Sequence, residues 1–324
     1  LGIVFGSPHP QQVTLKMPNS TVVTEFLLTR FSDVWEYRVL HAMLFLMTYL
    51  AALMGNFLIV TVTSLNHSLH APMYFFLRNL SVIDMCYISV TVPKACVIFL
   101  LDNRAITMVG CAAQIFLVIL FACTELLVLT FMARDRYVAI CQPLHYPVIM
   151  NPQVCVHMTL ASIISGLVYS GFLTGNTFQL SFCQFNVVHQ FFCDVPSLLK
   201  LSCSEISSNE ILILVFSVLM GGGCFACITM SYSLIFSTVF KFPTRGKQRK
   251  AFSTCVPHIL VVILFLISGA AVYLKPTSNL PTTQDMITSV FYTIVPPFLN
   301  PIIYSLRNKQ IKEAVKKILR RMLY

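Results

Sequence analysis

Between Cys111 and Tyr137 the chain reads CAAQIFLVILFACTELLVLTFMARDRY, and this stretch decides the fold. From Ala112 to Ala133 it carries one ionisable side chain, Glu125, over about the length that crosses a hydrocarbon core as a helix, and it ends on Arg134-Asp135-Arg136. Working outward, similar apolar runs bounded by charged or turn-rich breaks lie at about 39–64, 74–99, 156–178, 210–240, 251–274 and 285–305. The composition agrees. Of 324 residues, 56% are hydrophobic and only 10% charged, against roughly 25% charged in an ordinary soluble domain, and the mean hydropathy is +0.78. These values exclude a soluble globule, a disordered chain, a collagen and a small disulfide scaffold. The sequence predicts an all-α membrane protein, a seven-transmembrane helix bundle followed by a short amphipathic interfacial helix.

An odd number of spans puts the termini on opposite sides. On one side lie Arg78, Arg134, Arg136, Lys241, Arg245, Lys247, Arg249, Lys250, Arg307, Lys309, Lys312, Lys316, Lys317, Arg320 and Arg321, with only Asp135 and Glu313 against them. The other side is nearly balanced. The net charge of +10 therefore reads as the positive-inside rule rather than as a nucleic-acid surface, and no nucleic-acid partner is expected. The chain is read as a multi-pass protein of the plasma membrane with its N-terminus outside and its C-terminus cytoplasmic. Residues 1–38 form an extracellular tail, 39–305 the membrane domain, and 306–324 a cytoplasmic helix and C-terminus. The first sixteen residues lack a signal-peptide core, so the first span serves as an uncleaved signal-anchor, with Met17 a candidate start. Of the sequons at Asn19, Asn66 and Asn79, only Asn19 falls on the outer side, as a glycosylation acceptor.

Twelve cysteines divide by compartment. Cys111, at the outer start of the third span, and Cys183, Cys193 and Cys203, in the outer loop 179–209, meet an oxidising lumen, and four cysteines allow three pairings. The others read as small buried hydrophobes. Past the last span, Ile311, Ala314, Val315, Ile318, Leu319 and Met322 recur at helical spacing, with Lys312, Lys316, Lys317, Arg320 and Arg321 on the other face. That pattern suits a helix lying on anionic lipid.

Intramembrane ionisable groups are expensive and point to function. Asp84 in the second span and Glu125 in the third sit at similar depth, where two carboxylates cannot both ionise without a cation or a shared proton. Arg136 stands beside Asp135 at the membrane boundary, where its guanidinium can pair within the chain or be released to a partner. The last span ends Pro296-Pro297-Phe298-Leu299-Asn300-Pro301-Ile302-Ile303-Tyr304, in which prolines free backbone carbonyls and Asn300 offers them polar replacements.

Seven spans with Asp135-Arg136-Tyr137 after the third and Asn300-Pro301-Ile302-Ile303-Tyr304 in the seventh resemble a rhodopsin-like G-protein-coupled receptor. Longer motifs narrow the resemblance to vertebrate olfactory (odorant) receptors of the tetrapod type: Gly55-Asn56, PMYFFL at 72–77, Leu80-Ser81 with Asp84, MARDRYVAIC at 132–141 followed by PLHY at 143–146, Ser231-Tyr232, KAFSTC at 250–255 and PIIYSLRN at 301–308. The resemblance runs from about Thr24 to the C-terminus. Three positions depart from it: Arg134 where Tyr is usual, Pro257 where Ser is usual, and Leu266 where an aromatic is common.

The resemblance implies disulfides Cys111–Cys193 and Cys183–Cys203. It implies activation and coupling through Asp135, Arg136, Tyr137, Tyr232, Asn300, Pro301 and Tyr304, and a polar site at Asn56, Asp84 and Glu125. The ligand, a small and mostly apolar volatile, is expected in the outer half of the bundle. Two turns in from Cys111 stand Val118 and Ile119, then Ala122 and Cys123, and the family pattern places Phe216, Met220, Ala270 and Tyr273 opposite. Val118 holds the place where amine receptors carry Asp. The implied partners are a volatile odorant, a heterotrimeric G protein of the olfactory stimulatory type that raises cyclic AMP, and the bilayer. No cofactor and no metal are implied. A transporter or channel is disfavoured because the spans do not pair as repeats. A membrane enzyme is disfavoured because Cys255 and His258, at i and i+3, have no second ligand pair or base.

Overall fold

The computed structural model describes residues 24–29, 32, 34–66, 69, 71–182, 186–202, 208–273, 283–307 and 309–323, with the side chains of 270–273, 283–288, 292, 306, 307, 309, 317–319 and 321–323 outside that description. Seven long helices form a bundle: α1 (Trp35–Leu65), α2 (Pro72–Leu101), α3 (Met108–Cys141), α5 (Pro152–Phe178), α7 (Ser208–Val239), α8 (Arg245–Tyr273) and α9 (Thr283–Arg307). Single turns α4 (Tyr146–Ile149) and α6 (Val195–Leu199) lie between them, and α10 (Lys309–Leu323) follows. Six of the long helices are apolar enough to cross a membrane, and α9 qualifies together with α10 across a bend of 91°. The helices overrun the apolar runs read from the sequence by up to a turn or two, because a helix continues past the hydrocarbon boundary as long as its backbone groups stay paired.

Local chemistry sets the ends. Pro72 and Pro152 open α2 and α5 at their first positions, where the missing N–H costs nothing. Asn151 caps α5 by accepting from the Val154 amide at 2.9 Å, and Thr107 caps α3 by accepting from the Gly110 amide at 3.1 Å. Asp102 closes α2 with φ 54°, a left-handed residue that Asp tolerates better than most.

Helix α3 is the axis of the bundle: 56% of its apolar window is inside, against 17% for α7, which mostly faces outward. Two apolar cores stack along α3. One, around Phe99, Ile115, Phe191 and Phe192, surrounds the end that carries Cys111. The other, around Leu77, Leu129, Met132, Tyr232 and Ile235, lies at the end that carries Arg136. We call these the disulfide end and the basic end. The disulfide end also holds a small sheet in which β1 (Glu25–Leu28) is central, antiparallel to β2 (Ala105–Thr107) and parallel to β3 (Val187–Val188). Phe26 and Leu28 of β1 are fully buried there, so part of the segment expected as a tail is core.

Candidate functional site

At the disulfide end Cys111 is bonded to Cys193, which pins the segment after α5 to the start of α3. Gln114, one turn along, reinforces the joint: its Oε1 accepts from the Cys193 amide at 2.8 Å and its Nε2 donates to the Val90 carbonyl of α2 at 3.0 Å. Cys183, Cys203 and Asn19 lie outside the described residues. Below the disulfide, Val118 and Cys123 are buried and Ile119 and Ala122 half-buried on α3. On α7 the inward face runs through Ile213, Ser217, Met220 and Cys224, and Ser217 meets the Tyr169 hydroxyl of α5 at 3.3 Å. Phe216 sits one residue off that face. It is 40% exposed and packs its ring on Phe172 of α5, centroids 4.6 Å apart. Ala270 and Tyr273 belong to α8, and their side chains are outside the description.

Midway along the bundle, one amide ties two carboxylates together. Asn300 Nδ2 on α9 donates to Asp84 Oδ2 at 2.9 Å and to Glu125 Oε1 at 3.4 Å. The proline carbonyl that Pro301 leaves without its helical donor, that of Pro297, is satisfied instead by Asn56 Nδ2 of α1 at 2.8 Å. The replacement partner expected of Asn300 is therefore Asn56. Gly55 makes this approach possible, since a Cβ there would stand 3.1 Å from the Pro301 ring. Asp84 Oδ1, Asn56 Oδ1 and Asn300 Oδ1 are buried acceptors without a hydrogen-bond partner among the described residues.

At the basic end Arg136 is 5% exposed, and its guanidinium donates to the Thr254 carbonyl of α8. Asp135 is turned the other way, accepting from the Tyr146 hydroxyl of α4 at 2.8 Å. Burial first, and the Asp135 carboxylate second, push the Tyr146 phenol above its ordinary pKa, so it remains a donor at physiological pH. Tyr232 Oη of α7 lies 2.6 Å from His258 Nδ1 of α8, and Tyr74 of α2 hydrogen-bonds Gln310 of α10. Between α2, α3, α8, α9 and α10 opens a cavity of about 710 Å³, lined by Arg136, Arg249, Lys250, Thr254, Pro257, Tyr304 and others. Tyr304 is buried beside it, Tyr137 is half-buried and Arg134 is exposed. On α10, Ile311 and Ala314 are buried while Lys312, Lys316 and Arg320 face outward. Tyr146, Tyr74 and Gln310 were not singled out as site residues by the sequence reading, and His258 only for a metal reading that it dismissed. Among the described residues no group of three or more His, Cys, Asp or Glu is placed to hold a metal ion.

The family model described as olfactory receptor matches residues 45–322. The chain belongs to the olfactory receptor family. The human protein "Olfactory receptor 14C36" is 63% identical over 308 residues, covering 95% of this receptor and 99% of that one. "Olfactory receptor 14A16", also human, is 50% identical over 304 residues, 94% and 98% of the two chains, and the mouse protein "Olfactory receptor 4E2" is 43% identical over 305 residues, again 94% and 98%. Among solved structures, squid rhodopsin superposes with a TM-score of 0.71 at 16% identity, over 89% of this receptor and 82% of that chain, which carries the fold. The family is one of G-protein-coupled receptors, multi-pass in the membrane, and not of enzymes. It implies odorant sensing and a G-protein partner for this receptor.

Proposed function

We propose that this receptor sits in the plasma membrane with its disulfide end outside and its basic end cytoplasmic, binds a small, mostly apolar volatile, and activates a heterotrimeric G protein of the olfactory stimulatory type to raise cyclic AMP. Two independent features support the orientation. The cations Arg136, Arg249 and Lys250 gather at one end, and the disulfide, which needs an oxidising compartment, lies at the other. On this reading residues 1–38 form the extracellular segment with Asn19 glycosylated, 39–305 the receptor domain and 306–324 the cytoplasmic end, and Cys183 pairs with Cys203.

Apolar side chains favour an apolar guest, since affinity in such a pocket comes from removing apolar surface from water. Val118, Ile119, Ala122 and Cys123 supply one wall and Met220, Ala270 and Tyr273 the others, with no carboxylate at Val118 to hold an amine. Asp84, Glu125 and Asn300, with Asn56 beside them, hold a shared proton or a small cation, a reading supported by two buried carboxylates on one amide and by the unsatisfied Oδ1 atoms of Asp84, Asn56 and Asn300.

The observation that carries the coupling reading is the placement of Arg136, buried on the wall of the basic-end cavity and bonded to α8 rather than to its neighbour Asp135. A contact between two helices that one rotation can undo is a two-state element, and a partner that prefers the opened form shifts its population. The test is a cyclic AMP reporter in cells given the receptor and the olfactory-type G protein, screened with volatile ligands. A volatile-dependent signal that vanishes without that G protein is expected, and a signal through another messenger alone overturns the proposal.

A further inference from the structure

The geometry points to the basic-end cavity as a binding site for a phosphate-bearing anion, of the chemistry carried by inositol phosphates and by phosphorylated lipid headgroups. Three cations converge on it: Arg136 from α3, and Arg249 and Lys250 from the start of α8. No Asp or Glu is among its described lining residues. Arg249 and Lys250 stand exposed on the rim, where a large anion can reach them. Arg136 forms the floor. It is 5% exposed, one arm of its guanidinium is used on the Thr254 carbonyl, and its Nε is buried with no partner among the described residues.

A buried guanidinium N–H without an acceptor is costly, and an anion entering the cavity supplies one. The planar fork matches phosphate oxygens in pairs, and two further cations suit a group bearing close to two negative charges and three acceptor oxygens better than a single carboxylate. The volume, about 710 Å³, is in the range of sites for small organic ligands. A bound phosphate group bridges α3 to α8 through Arg136, Arg249 and Lys250, and so adds to the contact that Arg136 already makes with Thr254. On the coupling reading above, and only on it, such an anion competes with the G protein for the resting receptor.

The binding step is tested on the purified full-length receptor in phosphatidylcholine nanodiscs. The probes are inositol trisphosphate, inorganic phosphate, and phosphatidylinositol bisphosphate built into the disc, with binding read by native mass spectrometry and by displacement of a fluorescent inositol phosphate. Saturable binding of at least one probe is expected. Binding of inositol trisphosphate or inorganic phosphate identifies a free anion as a sufficient ligand, and binding of the lipid alone identifies a headgroup.

R249Q/K250Q weakens binding about tenfold or more, since each lost charge-assisted contact removes a strong hydrogen bond. The charge-keeping pair R249K/K250R retains it within about threefold, which separates charge from folding. K312Q/K316Q on the exposed face of α10 leaves soluble-probe binding unchanged. The proposal is overturned if no probe binds saturably, or if R249Q/K250Q binds as the parent does. Adding purified G protein to the same discs should displace the bound probe, and binding that depends on these residues yet is not displaced upholds the site and removes only the competition.

Discussion

The two ends of the bundle are closed by different means. The disulfide end is sewn shut: a covalent bond joins Cys111 to Cys193, a three-stranded sheet runs over it, and beneath it Phe45 packs edge to face on Phe99 and Phe191, with Phe192 tilted against Phe191. The basic end has an apolar core of its own, with Phe236 stacked on Phe252, but no covalent tie among its described residues. Its polar contacts across helix pairs are single side-chain bonds, Arg136 to Thr254, Tyr146 to Asp135, Tyr232 to His258 and Tyr74 to Gln310, around a cavity. Each of those bonds can be broken by one rotation, whereas the aromatic and covalent closure must be lost as a whole. On the orientation and ligand site proposed above, that asymmetry gives a firm frame around the ligand and a separable set of contacts where a partner enters.

The largest effect that would sharpen this contrast is loss of the covalent tie. Replacing Cys111 or Cys193 by Ser removes about 2–5 kcal/mol of stability and should abolish surface display, as read by antibody labelling of intact cells. Normal display of either variant would dissolve the contrast. Next, Arg136→Ala should eliminate the cyclic AMP response while surface level and odorant binding persist, because the side chain belongs to the separable end alone. A variant that still signals would show that the Arg136 contact does not gate output.

Smaller, and halfway between the ends, is the carboxylate pair. Asp84→Asn and Glu125→Gln should each shift basal signal or odorant potency, and the double variant should depart from additivity by about 0.5–3 kcal/mol, since both groups bond the same Asn300 amide. Additive changes at matched surface levels would make them independent. The smallest effect belongs to Tyr146→Phe. It deletes one hydrogen bond worth about 1 kcal/mol and leaves Asp135 to compete with the Thr254 carbonyl for the Arg136 guanidinium, which favours the opened form, so odorant potency should rise about fivefold with surface level unchanged. A fall in potency would reverse the sense assigned to Asp135.

The spans, the crowding of cations at one end and the two-faced pattern of α10 were legible because bilayer length, charge bias and helical period are written residue by residue. Two features of the sites were not. The acceptor for Arg136 is the carbonyl of Thr254, a group every residue owns, so no side chain announces it. The exchange between Asn56 and Asn300 has a like cause: both amides can serve a freed carbonyl, and only the packing of Gly55 on Pro301 decides which one does. The sheet was hidden by distance along the chain, since short strands at residues 25, 105 and 187 carry no mark of each other's register.

That sheet also dictates an order of biosynthesis. Strand β1 leaves the ribosome early, yet Thr29 hydrogen-bonds the Val188 carbonyl 159 residues downstream, and translation of that interval takes roughly ten to thirty seconds. For that time Phe26 and Leu28, fully buried at the end, have no third strand beside them, and four of the long helices are made before it arrives. Strand β1 is thus made before α1 yet gains its third strand only after α5, and on the orientation proposed above a lumenal chaperone that covers apolar strand edges has its window in that interval.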